Sequence, residues 1–158
     1  MILVEVAFVS VDAAGSPVVF LRDVDREEKR LLPIWVGQGE AIAIHLQLKE
    51  ESPPRPFTHD LMRNIIEALS AKVESIHVHS LKDRTFFALI NLTVGDKTMQ
   101  IDARPSDSIA LALRVNAPIF VEEEIIDKNS FAEDDLTEKK EASSLEDLDD
   151  EDLGRFTV

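Results

Sequence analysis

Cysteine is absent from this 158-residue chain. That removes a disulfide framework, a thiolate metal site and a cysteine nucleophile together. Tyrosine is absent too, so no tyrosine nucleophile is available. Glycine is scarce, with 5 residues, and tryptophan occurs once. The short "GQG" cannot cradle a phosphate, and no Walker, dinucleotide-binding or Gly-x-Ser-x-Gly pattern occurs. No apolar run is long enough to span a bilayer. The opening "MILVEVAFVSVD" lacks a basic leader and alternates like a strand. These absences lead to the expectation of a cytoplasmic protein with no membrane association and no organic cofactor.

What is present suits a folded domain. The apolar share of 44% is ordinary for a globular protein, and 158 residues can bury a core. The formal charge of −14 is unevenly placed. From Glu122 to Val158 there are 15 acids and 4 bases, a net of −11, against 16 acids and 13 bases in the preceding residues, a net of −3. A near-neutral body can hold a local basic groove, whereas the acidic end cannot itself attract nucleic acid. The stretch "AEDDLTEKKEASSLEDLDDEDLGRF" has too few apolar residues to fold alone. The expected division is an α+β domain over residues 1–127 and an acidic, disordered tail over 128–158. Leu145, Leu148 and Leu153 are spaced for an amphipathic helix formed on an unknown protein partner.

Along the body, alternating and apolar runs predict strands at "ILVEVAFVSV", "VVFLRDV", "RLLPIWV", "KVESIHVHSL", "TFFALINLTV", "TMQIDA" and "IFV". Pro33 suits an edge or a bulge. Helices are expected over Glu40 to Leu48, over Thr58 to Leu69 with Thr58 as N-cap, and after "IDARP". In the second, Leu61, Met62, Ile65, Ile66 and Leu69 predict one inward face. Asn116 suits a left-handed cap, and Pro118 stops the third helix. The fold class is thus α+β, a mixed or antiparallel sheet of about six or seven strands with about three helices. Aligning Ile34 with Ile101 puts Glu40 on Asp107, Ile42 on Ile109, Ala43 on Ala110 and Leu46 on Leu113. Three strands precede each of these helices, so the chain is read as two β-β-β-α repeats joined by the Thr58 helix.

The densest polar cluster is "IDARPSD", where Asp102, Arg104, Ser106 and Asp107 precede an apolar helix. One reading is structural: Ser106 caps, Asp107 complements the helix dipole, and Asp102 pairs with Arg104. The other is chemical: carboxylates, a guanidinium and free helix N–H groups converge where a phosphate or a metal-bound water could sit. "PPRPFTHDL" adds Arg55, His59 and Asp60, again either a helix start or a general base. His77 and His79 share a strand face but have no third ligand marked by spacing. His45, inside an apolar helix, reads as a core histidine.

"PIWVGQGEAIAI", "RPFTHDL", "TFFALINL", "IDARPSDSIALALR" and "APIFV", in this order, resemble the bifunctional nuclease family. The resemblance covers about Val4 to Val121 and leaves the acidic tail outside. It implies a compact α+β domain and, from plant members, nuclease activity on both DNA and RNA. The family motifs hold Glu40, Arg55, His59, Asp60, Asp102, Arg104, Ser106 and Asp107. Under this resemblance the candidate catalytic residues are Asp102, Asp107, Glu40 and His59. Arg55, Arg104 and Ser106 are candidates for holding substrate. Asp102, Asp107 and Glu40 are candidate ligands for Mg²⁺ or Mn²⁺ if the repeat halves face one another. Ser70 stands where the family usually has glycine.

A competing expectation is a non-catalytic binding or assembly module, with a homodimer as one form and the acidic tail as its partner-binding segment. Carboxylates sharing an open cleft beside unpaired arginines favour the enzyme; carboxylates each tied to an arginine favour the module. A third expectation joins the two, with the tail covering a basic groove of Arg55, Arg63, Lys72 and Arg104.

Overall fold

The computed structural model describes residues 1–136. Strands β1 (Ile2–Val11), β2 (Pro17–Asp23) and β3 (Arg30–Trp35) form an antiparallel meander, followed by helix α1 (Gln38–Leu48). Helix α2 (Thr58–Ala68) leads into a second meander of β4 (Ala71–Lys82), β5 (Thr85–Val94) and β6 (Lys97–Ala103), followed by helix α3 (Pro105–Val115). β7 (Ile119–Val121) joins the meanders, antiparallel to β1 and parallel to β4. Helix α4 (Glu123–Asn129) and β8 (Phe131–Ala132) close the order β6-β5-β4-β7-β1-β2-β3-β8.

The two repeats are present in the topology. β3 starts at Arg30 where β6 starts at Lys97, and α1 runs from Gln38 to Leu48 where α3 runs from Pro105 to Val115. Each meander buries one face under its helix. Val19, Leu21, Leu32 and Ile34 of the first join Ile76, Val78, Ala88 and Ile90 of the second, with Ile44 of α1 and Ile109 and Leu111 of α3, in one core. Pro33 pairs with Phe20 on one side, while β8 reaches only Arg30 and Leu31 on the other. The missing N–H therefore falls where no strand needs it.

The sheet has eight strands, more than expected, because β8 lies in the segment expected to be tail. α4 follows β7 directly, and helical residues continue at 133–136. Ordered structure thus runs past Asp127, the expected domain end. Ile125 and Ile126 anchor α4 in the core although acids surround them in the sequence, and beyond Asp127 Phe131 pairs with Leu31 and sets its ring edge to face against Phe20. The tail expectation otherwise lies outside the described residues. None of the described helices is long and apolar enough to cross a membrane.

Three local expectations change. α2 begins after Phe57, and Thr58 is its first residue, because Asp60 in the first turn accepts the Phe57 N–H at 2.9 Å and does the capping. α3 begins after Arg104, with Pro105 first, so Ser106 lies inside the helix and is not its cap. Proline's fixed φ suits that first position. His45 is exposed, since α1 buries only Ala41, Ala43 and Ile44.

Asn116 takes the expected left-handed cap, with φ 53°. Ser70 also has a left-handed φ, of 55°. A side chain is strained there, and glycine is not. Ser70→Gly is therefore expected to stabilise the protein by about 1 kcal/mol, read from urea denaturation; an unchanged or lower midpoint would contradict this.

Candidate functional site

The repeat symmetry brings the starts of α1 and α3 together, and an acid occupies the third position of each helix: Glu40 in one, Asp107 in the other. Arg104, the residue before α3, lies between them. Its Nε donates to Asp107 Oδ2 at 2.8 Å and its Nη2 to Glu40 Oε1 at 2.6 Å. The other oxygen of Asp107, Oδ1, lies 2.9 Å from His59 Nε2, at the start of α2. One row of polar contacts, Glu40–Arg104–Asp107–His59, thus ties three helix starts together.

Exposure differs along this row. The side chain of Arg104 is 64% exposed, that of Asp107 26%, that of Glu40 19% and that of His59 6%. The arginine is therefore the member that solvent or a ligand meets first. Burial works to raise the Asp107 pKa, but hydrogen bonds from Arg104 and then His59 outweigh it and hold the carboxyl below its ordinary value. Asp107, and then Glu40, raise the pKa of Arg104. An ionised carboxylate only accepts, so the hydrogen bond runs from His59 Nε2 to Asp107 Oδ1.

Gly37 makes room for this geometry. A Cβ there would lie 2.2 Å from Glu40 Oε2, so the carboxylate that meets Arg104 through its other oxygen would have to shift.

Beside the row is an open cleft of about 440 Å³, lined by Trp35, Gly37, Arg84, Thr85, Arg104 and Ser106 among others. Trp35 is fixed by a 2.9 Å hydrogen bond from its Nε1 to Asp12 Oδ2. Arg84 escaped the sequence reading, although a signal for it exists. It forms a two-residue turn with Asp83, and both have positive φ, of 48° and 64°. Glycine is favoured in the second place of such turns, so a bulky arginine there stands out.

The remaining candidates scatter. Asp102 lies on the other face of the sheet: it pairs with Leu89, whereas the flanking Ile101 pairs with the core residue Ile90. Strand alternation ends at Ala103, so Asp102 and Arg104 do not share a face, and their expected pairing does not occur. Arg55 is exposed in the loop before α2 and does not line the cleft. Ser106 is buried but reaches the cleft wall. Asp60 belongs to a different structure. Its Oδ1 accepts from Arg114 Nε at 2.7 Å, and Arg114 also donates to the carbonyls of Ala110 and Ala43, at 2.8 and 3.1 Å.

The expected trio of metal ligands, Glu40, Asp102 and Asp107, is not assembled. Asp102 is on the wrong face, and Arg104 and His59 occupy three of the four oxygens of the other two. Among the described residues no group of three or more His, Asp or Glu is placed to hold a metal ion. The set as arranged does not fit Mg²⁺ or Mn²⁺. His77 and His79 lie edge to face on the strand, with His77 Nε2 2.8 Å from Glu122 Oε1 but out of line for a hydrogen bond.

Fold and site together define a two-repeat α+β domain with an arginine held between paired helix-start carboxylates. The chain belongs to the bifunctional nuclease domain family, whose family model matches residues 19–134. It is 44% identical over 112 residues to an uncharacterised protein of Mycobacterium tuberculosis (strain H37Rv), a match covering 71% of this chain and 65% of that protein. Bifunctional nuclease 2 of rice (Oryza sativa subsp. japonica) is 30% identical over 113 residues, covering 70% of this chain and 34% of that protein. Bifunctional nuclease 2 of Arabidopsis thaliana is 29% identical over 94 residues, 58% of this chain and 29% of that protein. The chain thus spans under two thirds of the length of each of these relatives.

Proposed function

We propose that this protein is a nuclease that takes the phosphodiester backbone of DNA or RNA into the cleft beside Arg104 and Arg84. The observation that carries the reading is Arg104 itself, an exposed guanidinium shared by two carboxylates at the mouth of a cleft. Guanidinium binds phosphate with the same paired geometry it uses for carboxylate. A phosphodiester entering the cleft competes for Arg104, with Arg84 as a second cation. As Arg104 turns to phosphate, Asp107 loses the leading contact that depresses its pKa and becomes a better base. It then takes a proton from water, whose oxygen attacks phosphorus; the bond to the departing sugar oxygen breaks, and that oxygen is protonated from solvent. His59, nearly buried, orients Asp107 and does not touch substrate.

The same ion pairs favour a second reading, a binding module that holds nucleic acid without cutting it, because both carboxylates are already satisfied by Arg104.

Binding and cleavage measured side by side separate the two. Single-stranded DNA and a structured RNA are titrated across a salt series and then followed for cleavage with Mg²⁺, with Mn²⁺ and with EDTA. Arg104→Ala is expected to weaken binding about tenfold and to reduce the salt slope by about one. Binding without cleavage in every metal condition selects the module. Unchanged binding and slope in Arg104→Ala remove Arg104 from the phosphate site under either reading.

A further inference from the structure

Apolar carbon meets solvent in two settings. On α2 the expected inward face forms only in part. Met62 and Ile66 pack against the core, whereas Leu61, Ile65 and Leu69 are 52%, 50% and 69% exposed, because α2 rests mainly on α3. That ridge is aliphatic throughout and specifies no ligand. The second setting is the cleft beside Arg104, where the carbon is aromatic and stands next to fixed charge.

Both repeats build the cleft, and they contribute differently. Trp35 comes from the first, at the end of β3. Both charged residues of the lining come from the second: Arg84 in the β4–β5 turn and Arg104 before α3. Trp35 is only partly buried, yet its ring is fixed. Asp12, in the β1–β2 turn, accepts the indole Nε1–H on Oδ2 at 2.9 Å. Its Oδ1 accepts the Ala14 and Ser16 N–H groups at 3.0 and 2.8 Å, so the carboxylate that holds the ring is itself held by the turn. Indole has no other hydrogen-bonding group. What Trp35 can offer a ligand is therefore the flat, apolar ring, already in position.

We propose that Trp35 is a base platform: one nucleobase of a single strand stacks on the indole while the adjoining phosphate reaches Arg104 and Arg84. This rests on the phosphate site proposed above and adds what that site selects. The parts match those of a nucleotide, a flat aromatic ring joined to an anion. The volume of about 440 Å³ lies in the range of clefts that take small organic ligands. Stacking tolerates any base, because every base has a π-face, so the platform serves DNA and RNA alike. A duplex meets only half of the site. Its phosphates lie outside and can reach the arginines, but its bases are stacked on one another and present no free face until one is unpaired. The cleft therefore favours an unpaired strand, and Trp35 is the residue that makes the distinction.

Trp35 is the only tryptophan and there is no tyrosine, so intrinsic fluorescence reports this one position. In EDTA, an oligothymidylate is expected to quench it. An abasic phosphodiester strand of the same length should bind about tenfold more weakly and leave the fluorescence unchanged. A blunt duplex should bind without quenching. Fluorescence anisotropy of end-labelled strands extends the comparison to variants checked by thermal melting. Trp35→Leu is expected to bind the two single strands equally, at the abasic level, and Trp35→Phe, which keeps a ring, to retain most of the preference. Equal binding of base-bearing and abasic strands by the wild type overturns the platform, as does quenching by the duplex as strong as by the single strand. Thymidine 5′-monophosphate binding as tightly as the oligomer overturns the assignment to a strand. In each of these cases a weaker hold on the abasic strand by Arg104→Ala leaves the phosphate reading standing. Binding of the abasic strand that Arg104→Ala does not change removes the phosphate reading, and the platform with it.

Discussion

Asp60→Ala is expected to destabilise the protein by about 3–5 kcal/mol, the usual result of removing one partner of a buried ion pair. Arg114, the other partner, has a side chain only 2% exposed, and its guanidinium binds Asp60 on α2, the Ala43 carbonyl on α1 and the Ala110 carbonyl on α3. Without Asp60 the positive charge stays buried with carbonyl partners alone. The same substitution removes the acceptor of the Phe57 N–H and so uncaps α2. In a chain of this size the fall in Tm should be on the order of 10 °C. Asp60→Leu combined with Arg114→Met should recover much of the loss, because no charge is then left unpaired. Urea unfolding of the three proteins decides: a loss below about 1 kcal/mol in Asp60→Ala would show that the pair is not what holds the helices.

The pH dependence has a definite sign. Burial acts to raise the Asp60 pKa, but the Phe57 N–H and Arg114 prevail and lower it in the folded protein. A lowered folded pKa stabilises above the unfolded carboxylate value, and the benefit disappears as pH falls through the lower, folded one. The gap between wild type and Asp60→Ala should therefore be full at neutral pH and narrow in acid.

That cluster also marks the limit of what the sequence discloses. The elements of the repeats were legible because their signals are local: alternation in the strands, and proline or acids at the helix starts. The repeat itself was legible because Glu40 and Asp107 occupy matching places. The partners of charged groups were not. "THDL" gives no sign that His59 and Asp60, adjacent in the chain, reach separate partners, Asp107 and Arg114. Nor does "IDAR" show that its strand ends at Ala103, which decides the face of Asp102 and the direction of Arg104. α4 was missed because three glutamates precede Ile125 and Ile126, and only the core they enter explains them. Arg84 reaches the cleft through a turn between other strands, a contact no local pattern encodes.

The faces of the sheet make the sharpest forecast. Asp102 and Asp107 are five positions apart, and both are carboxylates of the same motif. If Asp107 is the base, Asp107→Asn should lower kcat by about 10²–10⁴-fold, the range for removal of a positioned general base. Asp102→Asn, on the far face, should leave it unchanged. Asparagine keeps the size of Asp107 and a carbonyl oxygen for His59 or Arg104, so a folding defect should not mimic the loss; thermal melting of each variant checks this. The two proteins are purified and assayed together on plasmid DNA and structured RNA, since an adventitious nuclease would cut equally in both. Loss confined to Asp107→Asn would make the paired helix starts a catalytic site. Loss confined to Asp102→Asn would move the chemistry to the open face, near His77. Equal rates in wild type and both variants would mean that the cutting is not this protein's, and would leave the Arg104 clamp as a means of holding nucleic acid.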